Sequence, residues 1–499
     1  MRHLLIRGAE VLASAEAERP VRADILSRDG RIVAVQSGLM PPDGDTEILE
    51  AENCIAIPGL INAHLHSSGN LQRGTLDGLP LEIFMLYEVP PLAAGAENPA
   101  VVRLRTLIGA VEMLKLGITS VLDDAFFVPL CSTSSIDAIA GAYRDVGMRA
   151  TIALDQPIVV EYEKYPFLKE LLPEDFRREM ELSPRETAAG MAEHYRHLIE
   201  TWHGAGEGRI AAAVSCSAPQ RATPEYLEFL AGLARQKDLP FFCHVLETKL
   251  QRVLGEEKYG RSLVRYIRDL GVLDERMEVI HGIWIDDEDI AILARSGATV
   301  AHNPVCNLRL GSGVMPFRKL RDAGVPICLG TDEAVSDDSH NLWGAIKLAG
   351  LVHTLAERSD ARWPKAPEIL DCLWNGGARG MRREHKLGRI EPGAAADIAL
   401  LDKSADGFTP LADLRRQLVY NETGSSVRHT IVHGRVVVRN GCVTTVDEPA
   451  LKAEVRAMEP QLAAATCELR TAAQRLEPYY RAMVEKAHAR DVGFSRWLG

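Results

Sequence analysis

His64 and His66 close an apolar run one residue apart, and further histidines and an aspartate close other runs downstream. Residues two apart on a strand face one side, so both imidazoles would project together. His244 follows Phe241-Phe242-Cys243, His281 ends the run 277–281, His302 ends 299–302, and Asp332 follows Gly330-Thr331. Any one of these histidines alone reads as ordinary core packing. Five histidines and a carboxylate, each at the C-terminal end of a candidate strand, read instead as a metal site. His64, His66, His244 and Asp332 offer nitrogen and oxygen ligands to one divalent ion with a position left for water, and Zn2+ suits them best. Fe2+ or Mn2+ would accept the same donors. Zinc lowers the pKa of water from 15.7 to about 7. Glu247, three residues beyond His244 where strand should give way to loop, is then the candidate general acid/base. A surface glutamate would have the same local sequence. His194, His197, His203, His385 and His488 lie in charged, helix-like or loop stretches and read as solvated.

Other chemistries lack their signatures. There is no His-Glu-x-x-His, no zinc-ribbon cysteine pairing and no Pro-Cys-x-x-Cys of the cytidine deaminase type. Nor is there a Gly-x-Ser-x-Gly elbow or a Walker-type phosphate loop. Gly311-Ser312-Gly313 reads as a turn.

A site built this way needs elements that bring strand ends together. Eight short apolar runs (56–63, 118–122, 149–154, 210–215, 240–244, 277–281, 299–302 and 327–331) alternate with helix-like sequence. Thr223-Pro224 opens one helix with a capping residue and a proline at its first position, and Gly117 closes another over 101–116. Eight parallel strands with interleaved helices make an α/β fold, a (β/α)8 TIM-like barrel, expected over 58–387. Strand signals at 3–7, 23–27 and 31–36 return at 397–401, 427–432, 435–439 and 442–446, the last two flanking Asn440-Gly441. Segments 1–57 and 388–447 are therefore expected to build one small β-sandwich. The stretch 161–207 reads as an insertion with amphipathic helix over 186–201. Residues 448–499 read as C-terminal helices packed on the barrel or on a partner subunit.

Composition bounds the partners. The 499 residues carry 57 Lys+Arg against 69 Asp+Glu, a formal charge of −12 that argues against nucleic acid. Arg7, Glu10 and Glu16 interrupt the N-terminal residues, and no apolar run reaches membrane-spanning length. Nine scattered cysteines without a Cys-x-x-Cys pair read as reduced thiols, hence a cytoplasmic chain. The expected partner is a small-molecule substrate, with no nucleic acid and no membrane, and the chain is expected to form a homo-oligomer (dimer or larger).

As an ordered set, Pro58-Gly-Leu-Ile-Asn-Ala-His-Leu-His66, His244-Val-Leu-Glu247, His281-Gly282, His302-Asn-Pro-Val-Cys-Asn307 and Gly330-Thr-Asp332 resemble the amidohydrolase superfamily. Leu387-Gly-Arg-Ile-Glu-Pro-Gly-Ala-Ala-Ala-Asp397 matches the return from barrel to sandwich. The likeness spans nearly the whole chain apart from the C-terminal helices. It points to the branch of aminohydrolases and chlorohydrolases acting on N-heterocycles: adenosine-type and guanine deaminases, and triazine hydrolases. The resemblance implies a single metal held by His64, His66, His244 and Asp332, with Glu247 as proton shuttle. Asp332 would also orient the attacking water or accept its proton, and His281 would hydrogen-bond the hydroxide or the developing oxyanion. Members with two metals bridge them with a carboxylated lysine, where this chain reads Ile210-Ala-Ala-Ala-Val-Ser-Cys-Ser217. Two departures border the substrate: Phe84-Met85-Leu86-Tyr87 in place of a Trp-Leu pair, and His340 in the stretch after Asp332. Gln72, Arg73, Glu88, Gln220, His302, Asn307 and His340 are the substrate candidates, each able either to read a polar ring edge or to hold a loop. Tyr162, Tyr165 and Phe167 could form an aromatic wall or an ordinary helix contact. The expected reaction is deamination at a ring carbon of an N-heterocycle with release of ammonia. The alternatives are hydrolysis of a urea, carbamate or amide, and displacement of chloride or an alkylamine from a ring such as an s-triazine.

Overall fold

The computed structural model describes residues 1–42, 44–92 and 98–498. The apolar runs form strands buried on both faces, as parallel barrel strands covered by helices must be. Leu60–His66, Phe241–Val245 and Met277–His281 are buried at every position. Eight parallel strands close the barrel as two half-sheets that share two strands. In the fourth, Ile210–Ala212 pairs with Arg149–Asp155 while Val214–Ser215 pairs with Phe241–Val245. In the eighth, Ile327–Leu329 pairs with Thr299–His302 while Asp332–Glu333 pairs with Leu60–His66. The second strand, Ile118–Phe126, lies between the first and third.

One expected strand is two. The run 56–63 breaks at Gly59: Cys54–Pro58 pairs antiparallel with Ile398–Asp402, and Leu60–His66 opens the barrel. A Cβ on Gly59 would lie 2.2 Å from the Thr119 hydroxyl oxygen, so only glycine lets the chain pass here. The strands from both chain ends join one nine-stranded mixed sheet. It has a core of its own, with Leu4, Ile6, Ile25 and Ile32 from one end and Ile398 and Ile431 from the other. A buried ion pair, Arg149 Nε to Asp397 Oδ2 at 2.7 Å, ties this sheet to the third barrel strand. Asp397 Oδ1 also accepts the His433 amide at 2.7 Å.

The insertion holds the expected amphipathic helix as Ala188–Trp202, capped by Thr187 accepting from the Gly190 amide at 3.0 Å. The C-terminal helices are a single helix, Glu448–His488. Its stripe of Leu476, Tyr480, Met483 and Ala487 packs on Ile83 and Leu86 of helix Leu81–Glu88 and on Leu168 of the insertion. Tyr165 meets Tyr480 edge to face at 5.5 Å, and Tyr162 joins the same apolar cluster. After the helix the chain turns back to the barrel mouth. Arg496 Nε donates to the Ile283 carbonyl at 3.0 Å, the Arg496 carbonyl accepts from the Val314 amide at 2.8 Å, and Trp497 Nε1 donates to Gly311 O at 3.0 Å. All nine cysteines are free. Among the described residues no helix is long and apolar enough to cross a membrane.

Candidate metal centre and active-site cavity

The barrel brings its first, fifth, sixth and eighth strand ends to one point. The His64 and His66 rings stand 4.8 Å apart and nearly perpendicular, and His244 lies 5.0 and 5.2 Å from them. His66 Nε2 and His244 Nε2 are 3.2 Å apart, and Asp332 Oδ1 lies 3.4 Å from His64 Nε2 and 3.6 Å from His66 Nε2. Tetrahedral bonds of about 2.0–2.1 Å set donors about 3.3–3.4 Å apart, so this spacing fits a divalent ion. Both nitrogens of buried His64 lack a hydrogen-bond partner. Such a group is costly unless something absent from the chain takes its lone pair. The donor set therefore forms a site for a divalent metal.

The candidate ligand rings are aimed from behind. His66 Nδ1 donates to the Asp124 carbonyl at 2.5 Å, and His244 Nδ1 to the Ser217 carbonyl at 2.7 Å, leaving each Nε2 lone pair toward the centre. Burial lowers the pKa of His64 and His244 and so keeps both neutral. Burial opposes the charge of Asp332, but His64 and His281 hold its carboxyl well below the usual range. Ser217, Leu246, His281 and Asp332 all have positive φ, 63°, 55°, 74° and 64°. Left-handed backbone at four non-glycine positions is unfavourable, and its clustering at this mouth is strain retained for aiming side chains.

Glu247 and His281 complete the arrangement. Glu247 Oε2 lies 3.4 Å from His281 Nε2, and Glu247 Oε1 accepts from Ser312 Oγ at 3.1 Å. Asn307 Nδ2 donates to His281 Nδ1 at 3.0 Å, which leaves the ring proton on Nε2, facing Glu247 and Asp332. Burial pushes the His281 pKa down to about 3 and raises that of Glu247 well above the ordinary carboxyl value. His281 is thus a neutral donor and Glu247 a carboxyl that readily keeps a proton.

These groups border a cavity of about 460 Å3 walled by Leu81, Met85, Phe126 and Leu310, into which Glu88, Asp155, Arg221 and Glu333 project. An outer chamber of about 930 Å3, edged by the insertion, shares Met85, Phe126, Asp155 and Arg221 with it. Of the substrate candidates, Glu88 reaches the inner cavity and Asn307 acts through His281. Gln220 lies in an adjoining pocket with Lys164 and Tyr165. The structure does not bring Gln72, Arg73, His302 or His340 to the cavity. Arg73 pairs with Glu112, and the Gln72 carbonyl caps Thr75. His302 Nε2 bonds His353 Nε2 at 3.0 Å, away from the centre. His340 sits behind Thr331, Nδ1 at 3.2 Å from its hydroxyl, with Nε2 donating to Asn70 Oδ1 at 2.5 Å. Thr331 in turn exchanges two hydrogen bonds with Asn62, at 2.8 and 3.1 Å, locking the eighth strand to the first between His64 and Asp332. Asp155, Glu333 and Ser312 escaped the reading of the sequence. Asp155 ends the third barrel strand, and the strand-end rule that selected the histidines would have found it. Ser312, inside a presumed turn, had no such signal.

Comparison with known proteins agrees with this geometry. The amidohydrolase family profile matches residues 55–437. A 5-methylthioadenosine/S-adenosylhomocysteine deaminase of Natronomonas pharaonis is 32% identical over 460 residues, 91% of this chain and 96% of its own. A 5'-deoxyadenosine deaminase of Methanosarcina mazei is 28% identical over 465 residues, 93% and 99% of the two chains. The solved structure of an atrazine chlorohydrolase from Arthrobacter aurescens TC1, complexed with zinc, superposes with a TM-score of 0.82 at 27% identity, covering 91% of this chain and 99% of that one.

Proposed function

The chain belongs to the amidohydrolase family, and we propose that within it the protein is a zinc-dependent deaminase that releases ammonia from an amino-substituted N-heterocycle. The observation that carries this reading is the meeting of His64, His66, His244 and Asp332 with Glu247 and His281 at one cavity wall. The four ligand residues would hold one ion, and the similarity to deaminases and to a zinc-complexed hydrolase supports zinc. When bound, a divalent ion supplies positive charge that acidifies water to a pKa of about 7.

The remaining work falls to the chain's own groups. Phe126, Leu81, Met85 and Leu310 give a planar ring apolar walls and keep bulk water away. Glu247, buried and inclined to hold a proton, protonates a ring nitrogen, making the adjacent carbon electrophilic. Left as a carboxylate, it takes the remaining proton of the added water and delivers it to the departing amine. His281 donates from Nε2 to the oxygen that gains charge on the ring carbon, with Asn307 fixing its tautomer. Asp332 accepts or orients the proton of the attacking water. Ser312 holds the Glu247 carboxyl on the correct side.

The likeness to an atrazine chlorohydrolase favours a second reading, in which the same groups displace chloride or an alkylamine from a ring. One experiment separates them. Purified, metal-analysed protein is offered 5'-deoxyadenosine, 5'-methylthioadenosine, aminopterins, aminopyrimidines and chloro-s-triazines, and ammonia, chloride and amine are measured with substrate absorbance. Ammonia equal to substrate consumed is the expected result. Chloride or alkylamine release alone selects the second reading, and no turnover by fully metallated protein removes both.

A further inference from the structure

Five carboxylates face the inner cavity: Glu88, Asp155, Glu247, Asp332 and Glu333. Arg221 is the one guanidinium among the described residues that line it. Asp332 and Glu247 have partners within the site already described. Glu88 and Glu333 meet each other instead, carboxyl to carboxyl. They are 3% and 5% exposed, and apart from that mutual contact both Glu88 oxygens and Glu333 Oε2 meet no hydrogen-bond donor among the described residues. A buried carboxylate oxygen without a donor is among the most costly groups a fold can keep.

The backbone holds this pair rather than relieving it. Glu88 is the last residue of helix Leu81–Glu88, where the helix dipole disfavours an anion. Glu333 is pinned by its register opposite His66 in the strand that closes the barrel. Gly69 lies between them, and a Cβ there would sit 3.2 Å from Glu333 Oε2 and 3.5 Å from Glu88 Oε1. Three elements thus converge to set two carboxylates at one edge of the cavity, with only a glycine backbone beside them.

We propose that Glu88 and Glu333 form a cation-recognition subsite that binds an amidinium-, guanidinium- or ammonium-bearing edge of the substrate while the metal side of the cavity holds the reacting carbon. The inference deepens the deaminase reading and rests on it for the second half of that statement. A cationic edge with two N–H donors satisfies the free oxygens with charge-assisted bonds, roughly twice as strong as neutral ones. The substrate is then a ring whose far edge carries a basic nitrogen group, and a neutral nucleoside is a poorer fit to this cavity.

Benzamidine and its near-isosteric neutral counterpart benzamide test the subsite by calorimetric titration of the metallated protein, independently of turnover. Benzamidine is expected to bind at least tenfold more tightly. Glu88→Gln and Glu333→Gln should each remove most of that preference and leave benzamide binding within twofold. Equal binding of the two probes to the wild-type chain overturns the inference without recourse to any variant. So does a preference that survives both substitutions. Metal analysis runs in parallel: a second equivalent of metal lost on Glu88→Gln would make the pair a metal site and overturn it too. Ammonia release without a benzamidine preference sinks the subsite and leaves the deaminase reading standing. A benzamidine preference lost in Glu88→Gln, with no ammonia from any substrate, does the reverse.

Discussion

At the residue scale, Glu247 and His64 stand close together yet do separable work. Glu247 lies outside the proposed ligand set, beside His281 and braced by Ser312, so Glu247→Gln should keep its metal while losing about 10²–10⁴-fold in turnover, the usual worth of a positioned acid/base. Metal analysis beside an ammonia assay checks both halves. His64 Nδ1 meets no partner and Nε2 faces only the candidate donors around it, Asp332 at 3.4 Å among them. His64→Ala should therefore lose metal and activity together, and full metal content in that variant would remove His64 from the ligand set. These residues could be read in the sequence because strand-end histidines two apart, and a glutamate three beyond a histidine, are local patterns. Their supports could not. Asn307 reaches His281 across 26 residues and Thr331 reaches Asn62 across 269. Only the closed barrel makes them neighbours. Glu333 was hidden differently, as the fourth residue of Gly330-Thr-Asp-Glu333, where an acidic residue after a ligand looks like loop surface.

At the scale of elements, the alternation of apolar runs and helices foretold the barrel because each strand is buried on both faces and so lacks a polar period. The same feature concealed the boundary at Gly59, since Cys54–Pro58 and Leu60–His66 are both wholly buried. No change in hydropathy separates a strand of the terminal sheet from a strand of the barrel; only the Thr119 contact does. Helix Asp287–Ser296, after the sixth strand, shows what anchors the outer layer. Its cap, Asp286, accepts from the Asp289 amide at 2.9 Å and from Arg252 and Arg265 at 2.9 and 2.7 Å. Burial raises the Asp286 pKa, but the Asp289 amide and Arg265 outweigh it and hold the carboxyl at about 2. The folded value lies below the unfolded one near 3.9, so the native state gains stability from this group above pH 4. That gain is lost as the pH falls toward 2. Urea midpoints measured across this range should decline, and Asp286→Asn should flatten that part of the decline while lowering stability at neutral pH. An unchanged slope in the variant would assign the acid sensitivity to other carboxylates.

At the scale of the molecule, Arg149–Asp397 is a buried ion pair between the barrel and the terminal sheet, beside buried hydrogen bonds from Thr430 to the Leu114 carbonyl and from Trp374 to the Pro58 carbonyl. The side chains of the ion pair are 9% and 4% exposed. Removing one partner strands the other charge, so Arg149→Ala should cost about 3–5 kcal/mol, read from the free energy of urea unfolding. A loss below 1 kcal/mol would show that water reaches Asp397 there. The pairing of distant segments also settles when the molecule can be finished. The last strands of the terminal sheet lie beyond residue 426, and Arg496 fastens the loop carrying Ile283 to the one carrying Val314. Translation delivers the N-terminal end first. A nascent chain still held by the ribosome therefore has its histidines long before it has the latch that steadies their surroundings. A chain made only as far as the eighth barrel strand carries the histidines without the braced mouth.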